Sequence, residues 1–216
     1  MDEISDISGY HYENTALNNS HGILLPAVVR QLDLLARVDP RIAKDRTVFE
    51  LGCGNGSVAW ELTQRGWHLV GVDPSSEGIE LAHQAFPSLQ LRQGSAYENL
   101  SAQYGQFPIV LSLEVVEHLY FPRRWAATMY SLTAPGGVAL VSTPYHGYWK
   151  NLALAVTGRL DAHFTALWDD GHIKFWSINT LRLLLQEAGF TNIRFERVGR
   201  LPPIAKSMLA VARRPL

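Results

Sequence analysis

The sequence predicts an α/β protein, a doubly wound, seven-stranded, mostly parallel sheet between helices, and three observations carry that expectation. Short apolar runs alternate with amphipathic stretches of helical period from Val48 to the end of the chain. The run Val48-Phe-Glu-Leu leads into three glycines at alternate positions, Gly52, Gly54 and Gly56, and Ser57-Val-Ala-Trp-Glu-Leu then opens a helical pattern, so this stretch reads as strand, tight turn and helix. Phe107 to Leu113 is a continuous apolar run of the kind that a parallel strand covered on both faces requires.

The elements follow in order. A chain of 216 residues fits a single domain spanning 1–216, with residues 1–40 as an N-terminal flap and helix. The first 20 or so residues are polar and hold Tyr10-His11-Tyr12, either a frayed end or a flap. Ile23 to Leu35 reads as an amphipathic helix with Pro26 in its first turn. After the glycine turn come a strand at Leu69 to Val72, a helix at Ser76 to Phe86, a strand at Leu89 to Arg92 and the buried run at Phe107. Pro122 to Thr133 is a helix, Pro135-Gly-Gly ends it, and Val138 to Ser142 is a strand. Thr180 to Ala188 is a helix with Gly189 closing it, and Ile193 to Val198 and Met208 to Ala212 are the last strands. The core has no need of residues 145–176. They hold Trp149, Trp168 and Trp176, three of the six tryptophans, with His146, His163 and His172. An insertion after a central strand covers the crevice where open α/β sheets bind ligands, so the segment is expected to be a helical, aromatic lid over a substrate, the alternative being a packed aromatic subdomain.

The glycine turn is the first candidate site. Glycine lets a ligand approach bare backbone, and the start of the following helix offers free N–H groups. Asp73 ends the next strand about 20 residues on, where an acid accepts from ribose hydroxyls, and together these point to an adenosine-type cofactor. The dinucleotide pattern G-x-G-x-x-G would need a glycine where Ser57 stands. Instead Glu50 precedes the turn, and an acid there is awkward for a pyrophosphate and welcome for an ammonium. Cys53, inside the turn, is the only cysteine: it excludes an internal disulfide and reads as a small residue that fits rather than a reactive thiol.

Glu50 with x-G-x-G-x-G resembles motif I of the class I S-adenosylmethionine-dependent methyltransferases, and the resemblance runs from Val48 to the end of the chain, including the Pro135-Gly-Gly turn and a closing hairpin. It implies the Rossmann-like methyltransferase fold, S-adenosyl-L-methionine as cofactor, and a cofactor site of Glu50, Gly52, Cys53, Gly54, Gly56, Asp73, Pro74, Ser95, Ala96 and Leu113. An acid is common in the family where Ser95 stands, which leaves the adenine to the Ser95 hydroxyl or the Ala96 backbone. The chain also resembles the ubiquinone-pathway O-methyltransferases, in which an arginine ahead of motif I meets the cofactor carboxylate. Arg30 is the matching residue here, the other reading being a surface charge.

Glu114-Val-Val-Glu117-His118 begins where the buried strand ends. If it opens a helical turn, Glu114, Glu117 and His118 share one face, and two carboxylates with an imidazole can coordinate one divalent ion. The segment Asp170-Gly-His172-Ile-Lys-Phe-Trp-Ser resembles the histidine segment of the ubiquinone-pathway enzymes and of the small-RNA 3′-terminal 2′-O-methyltransferases, in both of which a metal goes with an E-x-x-E-H motif. That implies a site of Glu114, Glu117, His118 and His172 for Mg²⁺, Mn²⁺ or Zn²⁺. The alternative is metal-free, with Glu114 capping backbone N–H groups and His118 as the base. Glu117 and His118 are the candidate catalytic residues under the resemblance.

The net charge of −1 offers no general attraction for nucleic acid, so a small-molecule acceptor is expected, an aromatic or quinol-like hydroxyl fitting the aromatic insertion. The acidic start of the chain has no signal-peptide pattern and no apolar run is long enough to span a membrane, which predicts a cytoplasmic protein. An RNA 2′-O-methyltransferase and a cofactor-binding regulatory protein without turnover are the other two readings.

Overall fold

The computed structural model describes residues 11–168 and 171–216; Tyr10 of the aromatic cluster and Asp170 of the histidine segment lie outside the described residues. Helices α1 (Asn19–Val38) and α2 (Pro40–Lys44) lead into β1 (Thr47–Leu51), α3 (Ser57–Thr63), β2 (His68–Asp73), α4 (Ser76–Ala85) and β3 (Gln90–Gln93). There follow α5 (Leu100–Tyr104), β4 (Phe107–Leu113), a 3-10 turn at Val116–His118, α6 (Pro122–Leu132) and β5 (Thr133–Pro144). The chain closes with α7 (Tyr148–Val156), α8 (Leu160–Phe164), α9 (Ile178–Glu187), β6 (Thr191–Val198), a 3-10 turn at Pro202–Ile204 and β7 (Ser207–Arg213).

The seven strands form one sheet in the order β3-β2-β1-β4-β5-β7-β6. All pairings are parallel except those of β7, which runs antiparallel to both neighbours. Because side chains alternate across a strand, Val48 joins the core beneath α1 to α4 while Phe49 and Leu51 join the core beneath α5, α6 and α9. Trp67 and Trp125 are almost wholly buried, one in each core. The strand order reverses between β1 and β4, and a doubly wound sheet opens its ligand crevice at the carboxyl ends of such a pair.

Two sequence expectations change. The first helix begins at Asn19, because the Asn18 side chain caps it by accepting from the His21 N–H at 2.7 Å, so Pro26 falls inside the helix rather than in its first turn. The strand expected from Val138 begins at Thr133, its glycine turn being drawn into the sheet where Gly136 N–H donates to Arg214 O at 3.0 Å and Arg214 N–H to Gly137 O at 3.0 Å. Among the described residues no helix is long and apolar enough to cross a membrane.

Candidate functional site

At the crevice lies a cavity of about 920 Å³ whose wall includes Gly52, Gly54, Asp73, Glu114, His118 and His172. Its floor is the glycine turn. Gly52 and Cys53 both donate to Val72 O, at 2.8 and 3.1 Å, and this folds the turn back over β2. The Asp73 carboxylate then ties two turns together, accepting from Gly54 N–H at 2.9 Å and from Ser75 N–H at 2.9 Å. Burial raises its pKa against the pull of those two N–H groups. Gly54 has φ +51, and a methyl placed on it would overlap the hydroxyl of Tyr12, whose ring lies across the turn. Gly56 serves packing instead: a Cβ there would meet Leu91 at 2.9 Å and Ala82 at 3.0 Å, and Gly56 does not line the cavity.

Glu50 is 2% exposed, and its Oε2 has no hydrogen-bond partner. Burial, reinforced by the neighbouring Asp73, pushes its pKa up to about 8. An orphaned carboxylate oxygen next to bare glycine backbone suits a cationic ligand group, so these residues fit the cofactor that the sequence implied. The same burial has a measurable cost. The folded protein keeps a proton on Glu50 between the ordinary value of 4.5 and about 8, where the unfolded chain has lost it, so stability falls as pH rises through that window. We expect the urea midpoint to drop between about pH 5.5 and about pH 8.5 and Glu50→Gln to flatten part of that slope, the remainder coming from Glu114 and Glu117, whose pKa values are also raised. An unchanged slope in the variant overturns this assignment.

The other expected cofactor residues divide. Pro74, Ala96 and Leu113 line the cavity. Cys53 is buried behind it, and burial and the nearby carboxylates push its thiol up, which leaves it the small, inert residue expected of the turn. Ser95 is not at the wall; its Oγ accepts from Tyr97 N–H at 3.2 Å and its N–H donates to Glu98 at 2.9 Å, so that turn presents Gly94 and Ala96 instead. Arg30 is corrected outright. With Leu24, Leu25, Val28 and Leu32 buried, the arginine side of α1 faces β6, where Arg30 pairs with Glu196 away from the cavity.

The E-x-x-E-H segment is not an α-helical face. Glu114 takes φ +54 and only Val116–His118 turn, as a single 3-10 element, so Glu114 swings away from the other two. Its carboxylate accepts from Ser142 Oγ at 2.9 Å and from Ser207 Oγ at 3.4 Å. Glu117, His118 and His172 do converge, offering ligand atoms all within 4.8 Å of one another. Glu117 is 1% exposed and neither of its oxygens has a hydrogen-bond partner; burial, then the charge of Glu114, pushes its carboxyl well up. The two imidazoles stand edge to face, 4.9 Å between centroids. Burial, then His118, His163 and Lys150, lower His172 to about 4, keeping it neutral and able to ligate. What brings His172 here is backbone: Ile173 and Lys174 N–H both donate to Glu117 O at 3.0 Å. A buried carboxylate with orphaned oxygens, the neutral His172 and the imidazole of His118 fit a divalent ion as a set of three, without Glu114.

Sequence reasoning missed His21, Asn55, Lys150 and Lys206, all at the cavity wall. His21 follows an Asn at cap spacing, a signal that marks the helix start but gives no hint that the ring turns inward. Asn55 holds the N-terminal segment over the turn, its Nδ2 donating to Asn14 O at 2.7 Å.

With this geometry in view, comparison with known proteins is informative. The methyltransferase domain family matches residues 26–194. The ubiquinone biosynthesis O-methyltransferase of Caulobacter sp. (strain K31) is 36% identical over 134 residues, covering 57% of this chain and 52% of that protein. The enzyme of the same name from Dinoroseobacter shibae (strain DSM 16493 / NCIMB 14021 / DFL 12) is 30% identical over 157 residues, 69% of this chain and 62% of that one. The chain spans about half the length of the first of these relatives. Among solved structures, the methyltransferase domain of bacterial CtHen1-CN superposes with TM-score 0.66 at 20% identity, covering 90% of this chain and 100% of that one, a likeness of fold. From its glycine turn, its strand order and the matched residues, the chain belongs to the methyltransferase domain family.

Proposed function

We propose that the protein methylates a hydroxyl of a small aromatic or quinol-like acceptor. The observation that carries this reading is the position of His118, which lines the same cavity as the glycine turn and stands 6.3 Å, ring centre to ring centre, from Trp168 on the aromatic side. Bound at the turn, S-adenosylmethionine supplies a methyl group already attached to a good leaving group. What the chain has to do is align the acceptor and remove its proton. Gly52, Gly54 and Asp73 would hold the cofactor from the cavity wall, and Glu50, buried just behind the turn, would supply a counter-charge for its ammonium. A phenolic hydroxyl with pKa about 10 must lose a proton near neutral pH, and His118 is the group within the cavity to take it. A divalent ion held by Glu117, His118 and His172 would lower the acceptor's pKa instead, and this ligand set accepts Mg²⁺, Mn²⁺ or Zn²⁺. The names of the curated relatives support a hydroxyl acceptor. The test is turnover of S-adenosylmethionine against catechols and quinols, with and without chelator. Methylation of amines or of RNA termini, with phenols inert, overturns the reading.

Residues 145–176 act as the lid in this scheme, with residues 11–18 as a smaller flap. Helices α7 and α8 stand out from the sheet, and Trp168 lines the cavity while remaining 45% exposed. Tryptophan fluorescence is expected to change when cofactor and acceptor bind, to keep that change in Trp149→Phe, and to lose most of it in Trp168→Phe; proteolysis within the segment should slow in parallel. Equal protection with and without ligands makes the segment a fixed wall.

A further inference from the structure

The acceptor end of the cavity carries charge that proton removal leaves unexplained. Beyond His118 its wall is formed by Lys150, His163, Lys206 and Ser207. Lys150 lies in the first turn of α7 and is only 8% exposed, and among the described residues its Nζ donates one hydrogen bond, to Tyr145 O at 2.8 Å. Lys206 precedes β7, and Arg200 stands exposed on the connection between β6 and β7. Among the described residues none of the three forms an ion pair. Their positive field is felt all around them. Burial, then Arg200, with Lys206 adding to it, lower Lys150 to about 8, and Lys150 contributes to the lowering of His146, His163 and His172.

Among the described residues the counter-charge is small. Glu114 attracts Lys150, yet it is bound by two serine hydroxyls and its carboxyl is pushed up to about 7, so of the described acids only this partly neutralised one acts on Lys150. An ammonium withdrawn from water without an anion is costly, and two of them on one cavity wall repel each other. At the same wall the Nε2 of His163 is buried with no hydrogen-bond partner among the described residues. An anion from outside removes the imbalance, and the cavity that admits the acceptor is its way in.

We propose that Lys150 and Lys206, with the exposed Arg200 adding to their field, form a subsite for an oxyanion substituent on the acceptor, a carboxylate or a phosphate-class group, whose capture turns the acceptor's hydroxyl toward His118. The inference rests on the acceptor reading of the cavity. Charge-assisted contacts of this kind are the stronger hydrogen bonds and are most effective where water is excluded.

The experiment titrates protein saturated with S-adenosylhomocysteine, by calorimetry, with three rings that share one catechol: catechol itself, 3,4-dihydroxybenzoate and 3,4-dihydroxybenzylphosphonate. At least one anionic ring is expected to bind about tenfold or more tighter than catechol, and which of the two does so identifies carboxylate or phosphate chemistry. Lys150→Met and Lys206→Met should each shrink that ratio toward one, while Lys150→Arg keeps part of it. Removing a buried lysine can disturb α7, so the partly exposed Lys206 carries the test independently. A ratio near one in the unaltered protein, or a ratio unchanged in both methionine variants, overturns the subsite and leaves the O-methylation reading standing. If no ring binds or is methylated while S-adenosylhomocysteine binds, the acceptor reading falls and takes the subsite with it.

Discussion

Replacing Gly54 with valine is expected to abolish cofactor binding: the heat of S-adenosylhomocysteine binding disappears from calorimetry, a loss of more than about a hundredfold in affinity. The residue sits at φ +51 with its missing side chain aimed at the Tyr12 ring that lies over the turn, and its N–H holds the Asp73 carboxylate. A branched side chain both strains that backbone and fills the floor of the cavity. Gly56→Ala is the informative contrast. The added methyl is pressed between Leu91 and Ala82, so it should lower the melting temperature by several degrees and leave the affinity of the protein that remains folded within about threefold. Retention of binding within about tenfold in Gly54→Val would sink the placement of the cofactor at this turn.

The second large effect concerns proton removal. His118→Ala is expected to lower kcat by about a hundredfold or more, whether the imidazole is a base or a ligand. Glu117 separates the two mechanisms. If a divalent ion is held, Glu117→Gln costs far more turnover than cofactor affinity, chelation stops the reaction, added metal restores it, and His172→Ala weakens the dependence on metal. The structure sharpens this by removing Glu114 from the set: in Glu114→Gln the amide oxygen still accepts from Ser142 Oγ while the NH2 group donates to Ser207 Oγ, and the metal response should stay intact. Full turnover in chelator with Glu117→Gln close to unaltered protein overturns the ion and keeps His118 as a lone base.

Most of the sheet was legible because each strand is a local pattern. Phe107 to Leu113 was read to the residue, since a buried parallel strand needs one unbroken apolar run and nothing distant alters that. Boundaries moved where a cap or a partner decides them. The Ser177 and Thr180 capping box starts α9 at Ile178, two residues before the helix was expected, and Asn18 does the same for α1. The cofactor turn was legible because Gly52, Gly54 and Asp73 act through backbone geometry at fixed spacing. Arg30 and Glu114 were not. Each had a plausible spacing, but their partners, Glu196 and the hydroxyls of Ser142 and Ser207, stand on strands far away in sequence. A single positive φ at Glu114 was enough to turn one ligand of the expected four out of the site. Lys150 and Lys206 were invisible for a related reason: a lysine is ordinary until the fold removes its water.

The paired hydrogen bonds from Ile173 and Lys174 to the carbonyl of Glu117 bear on how substrate enters. They fasten the segment after His172 to the same short turn that carries His118, so these groups share one support and do not have to find each other when an acceptor arrives. The entropy of bringing them together is met during folding, and acceptor affinity carries none of it. In the lid proposed above, opening then falls to α7 and α8, with Thr165 after α8 in a left-handed backbone, while the working groups stay in register. Acceptors of different outline can then be admitted by rearranging α7 and α8 alone, and changes in those helices should alter which substrates enter long before they alter how the methyl is transferred.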